Sequence, residues 1–305
     1  MLSFRKYHGL GNDYLVMEPG EAASLIVRGD FIRLVCDCHF GFGSDGILVG
    51  PYGPDSAEAQ LMAGLAGIDV AALAGSLGAV RIFNPDGSEA EKSGNGLRIF
   101  SRFLYDTGRV ALDQPFRLVT LGGLVQSRIM DPRQDIRIDM GHVSFNSLDI
   151  PATGPEREMI GEAMEFGGRV FPCCNAANIG NPHCVVVCEE ISAGLAKSVG
   201  PLIENDARFP RRTNVQFMKK LDEHAIAIEI WERGAGYTLA SGSSASASAA
   251  VAIRLGLCSS PVEVRMPGGT LHVEADAGFQ LRQRGPVAYI GSGELDDEFL
   301  AQFPI

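Results

Sequence analysis

Apolar and polar residues alternate along much of this chain, and the period of that alternation divides it into elements. A period of two, or a β-branched run, predicts strands over 3–17, 46–49, 80–83, 116–120, 136–140, 183–187, 214–219, 225–231, 262–266 and 270–274. A helical period predicts helices over 20–38, 96–105, 155–165, 190–203 and 245–257. Strands prevail, and each half of the chain carries one strongly apolar helical run, at 97–104 and 245–255. Such a pattern suits an α/β (α+β) protein in which mostly antiparallel sheets wrap around a central helix.

The halves echo one another. Gly11-Asn12-Asp13 parallels Gly180-Asn181-Pro182, each ahead of an apolar strand. Ser93-Gly94 parallels Ser241-Gly242, each ahead of an apolar helix. A two-copy architecture with the site between the copies follows. Its expected division is 1–140 plus about 287–305 for the N-terminal domain, and 141–286 for the C-terminal one. Residues 54–79, rich in Ala and Gly, interrupt the pattern. Leu61, Leu65, Ile68 and Leu73 would allow one or two short amphipathic helices, forming a surface insertion with its own small apolar contact. A lid or a subunit contact is the alternative, which leaves a homodimer open.

Composition narrows the class. With 46% hydrophobic and 21% charged residues over 305 positions, two ordinary soluble domains are expected. A formal charge of −11 without a Lys/Arg cluster argues against nucleic acid and against acidic membranes as partners. No run is long and apolar enough to span a bilayer, and residues 1–17 lack a signal-peptide core. The seven cysteines sit mostly in apolar surroundings and read as reduced, buried side chains of a cytoplasmic protein. Cys36-Asp37-Cys38-His39 and Cys184 with Cys188 lack the paired spacing of a structural zinc site, so no metal and no cofactor are expected.

Chemistry concentrates in two segments. Asn84-Pro85-Asp86-Gly87-Ser88-Glu89 runs on to Ser93-Gly94-Asn95-Gly96, and Glu232-Arg233-Gly234-Ala235-Gly236 runs on to Ala240-Ser241-Gly242-Ser243. Each ends in a Ser-Gly pair that opens a helix, where unpaired backbone N–H groups favour an anion. Two such turns facing each other would grip one carboxylate and set a side chain on either side of its α-carbon. Ser93 and Ser241 could also be plain N-caps, a position serine favours.

These segments, with His8-Gly9-Leu10-Gly11-Asn12-Asp13-Tyr14, Gly180-Asn181-Pro182-His183 and Arg212-Thr213-Asn214-Val215, occur in an order that resembles the diaminopimelate epimerase family. Supporting matches are Phe40-Gly41-Phe42-Gly43-Ser44-Asp45-Gly46 and Asp139-Met140-Gly141, and the resemblance extends to about Gly293. It implies two similar domains around buried helices, with the active-site cleft between them. It also implies pyridoxal-phosphate-independent inversion of an amino acid, LL- to meso-diaminopimelate, on the route to lysine and peptidoglycan precursors. By this resemblance the ligand, a small amino acid or related carboxylate, would be held by Asn12, Asn84, Gly94, Asn95, Asn181, Asn214, Arg233, Gly242 and Ser243. His183 and Glu232 would support the catalytic pair and hold the substrate amino group.

The family's two catalytic thiols correspond here to Ser93 and Ser241. A hydroxyl is a far weaker acid than a thiol, and a helix terminus shifts a pKa by only about one unit. Tyr237 also stands where the family has Glu, and Gly242–Ala247 departs from the usual run. Three outcomes follow: altered amino-acid inversion; a different proton-transfer isomerisation or dehydration with His183 or Glu232 as base; or a non-catalytic ligand-binding protein on the same fold.

Overall fold

The structure, a computed structural model, describes residues 2–20 and 24–303. The chain forms two compact units, one from Met1–Ile138 and Gly285–Ile305, the other from Asp139–Arg284.

In the first unit β1 (Leu2–Gly9) and β2 (Asn12–Met17) form a hairpin, with Gly9 opposite Asn12. The alternation over 3–17 predicts one strand. Leu10 and Gly11 instead turn the chain with φ of 60° and 87°, the left-handed pair that a two-residue hairpin needs. Helix α1 (Gly29–Cys36) is shorter than the period over 20–38 predicts. Arg28 and Asp37 are extended at its ends, a turn occupies 24–27, and 21–23 lie outside the described residues. β3 (Ile47–Tyr52) runs parallel to β2 and antiparallel to β4 (Ala79–Phe83).

The insertion between β3 and β4 holds α2 (Ala57–Leu65) and a 3-10 turn, Val70–Gly75. Its buried side chains are Ala59, Met62, Ala63 and Leu73, and they join the main core of this unit. Leu61 and Leu65 are exposed. The separate apolar contact expected of the insertion is therefore absent among the described residues, because α2 turns its small residues inward. After β4 comes α3 (Gly94–Asp106), then β5 (Phe116–Thr120), β6 (Gly123–Asp131) and β7 (Asp135–His142). Helix α3 is buried from Gly94 to Ser101 and again at Phe103 and Leu104. It is enclosed on most sides, as its apolar run requires.

The second unit repeats this plan. β8 (Glu162–Phe166) and β9 (Arg169–Asn178) form a hairpin, and β10 (Pro182–Val187) pairs antiparallel with β9. Helix α4 (Ala193–Glu204) leads to β11 (Asn214–Lys220), parallel to β10, and β12 (Ala225–Glu232) pairs antiparallel with β11. β13 (Gly236–Thr238) folds back on β12 and precedes α5 (Gly242–Arg254). β14 (Val262–Met266), β15 (Gly269–Ala275) and β16 (Gln280–Gly285) complete the sheet around α5, which is buried from Ser244 to Ala252. The chain then returns to the first unit as β17 (Ala288–Leu295), antiparallel to β1, and closes with α6 (Asp297–Leu300).

Pairings correspond between the units. The β2–β3 and β10–β11 pairs are parallel, as are β4–β5 and β12–β14, and in each unit the buried helix starts at a serine. This is the α/β class expected from the alternation, in two similar copies. The helix predicted over 155–165 is not formed. Residues up to Glu158 make a loop, Gly161 takes φ 71°, and Met164 and Phe166 are buried with period two. Gly167-Gly168, both at positive φ, then turn β8 into β9. Among the described residues no helix is long and apolar enough to cross a membrane.

Candidate active site

In the first unit the site is built on the start of α3. Ser93 is extended, and its Oγ accepts the Gly96 amide N–H at 3.0 Å. That satisfies the third amide of the helix, while Gly94 and Asn95, the first and second, have no acceptor within it. Ser93 Oγ also lies 3.3 Å from the Tyr14 hydroxyl.

Behind this turn the hydrogen bonds run in one direction. Arg98, wholly buried, can only donate, and its Nη2 reaches Asn95 Oδ1 at 2.6 Å. Asn95 Nδ2 then donates to Asn12 Oδ1 at 3.1 Å, and Asn12 Nδ2 to Asp45 Oδ2 at 3.0 Å. A guanidinium at one end and a carboxylate at the other fix both carboxamides. Burial pushes the Arg98 guanidinium down to about 9, which still leaves it protonated at neutral pH and places a positive charge behind the helix start. Asn84 belongs to a separate turn, where its Nδ2 donates to Ser88 Oγ at 3.0 Å.

In the second unit Ser241 caps α5, accepting the Ser244 N–H at 3.4 Å, with Ser243 Oγ also at 3.4 Å. Gly242 and Ser243 hold the first two amides here. Asn214, at the start of β11, receives the Arg233 backbone N–H on Oδ1 at 3.0 Å and gives its own N–H to Pro182 O at 3.0 Å. Glu204, almost fully buried at the end of α4, holds the adjoining turn. It accepts from Trp231 Nε1 at 2.7 Å, Gly234 N at 2.9 Å and Arg212 Nη1 at 3.1 Å. Gly200 permits this approach, since a Cβ there would lie 2.6 Å from Trp231 Cβ. Glu232 ends β12 opposite Gly236. The Arg233 side chain is exposed, with Nη1 donating to Arg211 O at 3.2 Å.

His183 is completely buried, its Nε2 lying 2.9 Å from Asn181 Oδ1. Burial, with Arg233 nearby, pushes its imidazole down to about 3 against the pull of Gln216. A group that takes a proton only near pH 3 is a poor general base at neutral pH. This weighs against the role of His183 as base in a dehydration or double-bond shift.

Asn12 with Asn95, Asn181 with His183, and Asn214 with Arg233 are thus brought together as pairs. The sequence reading gives no role to Arg98, Asp45, Glu204, Gln216 or Ser244, which hold those residues in place. Only Arg98, three residues beyond Asn95 on the same helix, left a local signal. The seven cysteines are free, and burial pushes Cys36 and Cys174 up to about 12. Cys38, contrary to the expectation of burial, is exposed, because it follows the extended end of α1. Among the described residues no group of His, Cys, Asp and Glu is arranged to hold a metal ion.

Two units of one topology, each with a serine-capped buried helix, give the fold of the racemase and epimerase isomerases. It is similar to a probable proline racemase from Agrobacterium radiobacter K84, with TM-score 0.65 and 16% identity over 97% of this chain and 93% of that one. It is also similar to methylitaconate-delta-isomerase, with TM-score 0.58 and 10% identity over 96% and 95%. These two likenesses concern the fold. The model of the family described as diaminopimelate epimerase matches residues 4–146 and 175–290. The chain is 48% identical over 300 residues to diaminopimelate epimerase 2 of Nostoc sp. strain PCC 7120, covering 98% of each. It is 35% identical to the diaminopimelate epimerase of Pelotomaculum thermopropionicum, over 96% of this chain and 98% of that one. The chain belongs to the diaminopimelate epimerase family and is an isomerase.

Proposed function

We propose that this isomerase inverts the α-carbon of diaminopimelate or a closely related amino acid, with Ser93 and Ser241 at the acid and base positions. The observation that carries this reading is the pair of serine-capped helix starts, each with two amide N–H groups beyond the cap. Amides at a helix N-terminus favour a carboxylate. Asn12, Asn95, Asn181, Asn214 and Arg233 add N–H donors of the kind a carboxylate requires, and the carboxamide oxygens are the acceptors an ammonium group would need. Asn84 and Glu232 enter as substrate contacts by the family resemblance.

Two hydroxyls replace two thiols here, so inversion is expected to be slow. Incubation with LL-diaminopimelate in deuterated buffer tests the proposal: α-deuterium and meso product are expected, and the absence of both overturns the diaminopimelate version. The same serines favour one second reading, proton transfer on a substrate whose C–H is more acidic, which needs no thiolate. A non-catalytic binder would bind amino acids in a calorimeter and exchange no protons.

A further inference from the structure

Two polar atoms remain without hydrogen-bond partners beside His183: its own Nδ1 and Gln216 Oε1, both buried. The parallel register of β10 and β11 sets His183 level with Asn214 and Val185 level with Gln216. His183 and Gln216 therefore share one face of the sheet, two positions apart, and Gln216 reaches the ring through its side chain. On its other side Gln216 Nε2 lies 2.9 Å from Ser244 Oγ.

Two arrangements close the valences. The ring proton sits on Nδ1 and is given to Gln216 Oε1 with the Asn181 carboxamide turned, or it sits on Nε2 with the Gln216 carboxamide turned. The second keeps Asn181 Oδ1 on Nε2 at 2.9 Å. His183 is neutral here, and in the arrangement that keeps Asn181 Oδ1 on the ring its Nε2–H donates to that oxygen, so Nδ1 carries a lone pair and needs a donor. A carbonyl oxygen facing that lone pair would leave two acceptors opposed in a buried site. Rotating the Gln216 carboxamide by half a turn exchanges its two ends. The N–H then donates to His183 Nδ1, and Oε1 accepts the Ser244 O–H. Ser244 itself gives its backbone N–H to Ser241 Oγ. Both unpartnered atoms thereby gain partners, and the chain runs from Ser241 to Asn181 without a break.

We infer that Gln216 is a positioning residue that holds His183 as the neutral Nε2–H tautomer, so that Asn181 turns its amide N–H groups away from the ring as donors to the ligand. The last clause rests on the assignment of Asn181 to the substrate; the tautomer does not. Asn181 then meets an acceptor on the ligand, which suits a carboxylate oxygen and not an ammonium group.

Nitrogen-15 NMR of histidine-labelled protein tests this, with His183 assigned through His183→Gln. The parent at neutral pH should show a protonated Nε2 and an unprotonated, hydrogen-bonded Nδ1. Gln216→Met, which keeps length and loses the donor, should move the Nδ1 signal toward that of a free imidazole. It should also weaken diaminopimelate binding by calorimetry roughly tenfold, the effect of leaving a buried group unpaired. Gln216→Glu presents only acceptors, so it should draw a proton onto Nδ1. A parent His183 protonated on Nδ1, or an Nδ1 signal unmoved in Gln216→Met, overturns the inference. If the tautomer behaves as expected while neither parent nor variant binds the amino acid, the lock stands and the substrate proposal fails.

Discussion

Trp231 donates its indole N–H to Glu204 Oε2 at 2.7 Å, tying the strand that ends at Glu232, just before Arg233, to the end of a helix. Through its other oxygen the same carboxylate takes the Gly234 N–H and the Arg212 guanidinium. Glu204→Leu leaves these donors without an acceptor, and a loss of about 2–3 kcal/mol in stability is expected. Trp231 is the only tryptophan of the chain, so urea unfolding followed by fluorescence reads both the stability and the altered indole environment. A variant as stable as the parent would show that Glu204 does not organise the turn.

The two caps are unequal. Ser93 Oγ meets its amide at 3.0 Å, Ser241 at 3.4 Å, the latter sharing its oxygen with Ser243. Ser93→Ala should cost about 1 kcal/mol in thermal unfolding, and Ser241→Ala less. The reverse order would place the stronger cap on α5. Amino-acid affinity should change little in Ser93→Ala, because the Gly94 and Asn95 amides remain.

Thiols at the two serine positions should speed the chemistry. Ser93→Cys together with Ser241→Cys installs two groups whose pKa at a helix start falls near working pH. Deuterium exchange at the α-carbon of diaminopimelate should rise by about a hundredfold or more, and either single change should do far less. If the double variant exchanges no faster than the parent, the neighbours Tyr237 and Ser244–Ser246 have remade the site.

Arg233 is exposed, and its Nη1 donates to the Arg211 carbonyl at 3.2 Å. Its removal should therefore leave stability nearly unchanged. Ligand binding should weaken by about 1.5–3 kcal/mol, the worth of one charge-assisted hydrogen bond. Calorimetric titration of Arg233→Ala with diaminopimelate measures this, and an affinity equal to the parent's would remove Arg233 from the site.

Acid should act on His183. Its imidazole is pushed by burial from the ordinary 6.5 down to about 3, so the unfolded chain binds a proton that the folded one refuses. Its contribution is complete above pH 6.5 and is lost as pH falls toward 3, at about 1.4 kcal/mol per pH unit inside that window. Denaturation of parent and His183→Gln at pH 7 and pH 5 tests the sign: the gap in stability should shift toward the variant on acidification.

Much of the fold was legible because the central helices advertise themselves. Residues 97–104 and 245–255 are helical runs made largely of Leu, Ile, Phe, Ala and Val, each set among strand signals, which suits a helix packed against sheet. The strands β8 and β9 were not legible as such. Glu162–Phe166 reads with a helical period when joined to the residues before it. Only the pairing of Met164 with Phe171 across Gly167-Gly168 selects the strand. The helix expected over 20–38 shrank for a similar reason, since Arg28 takes an extended cap conformation that its side chain does not announce.

At the site, residue identity and spacing alone determined the two serine caps and the amides beyond them. An N-cap acts within three residues, so local sequence specifies it fully. Tertiary structure decided what the carboxamides and the histidine can do. Asn95 is oriented by Asp45 through Asn12, Asn214 by Pro182 and Arg233, and Ser244 meets Gln216 from 28 positions away. A carboxamide donates at one end and accepts at the other, and a buried imidazole takes or refuses a proton according to what encloses it. Those properties belong to neighbours that only folding brings within 3 Å.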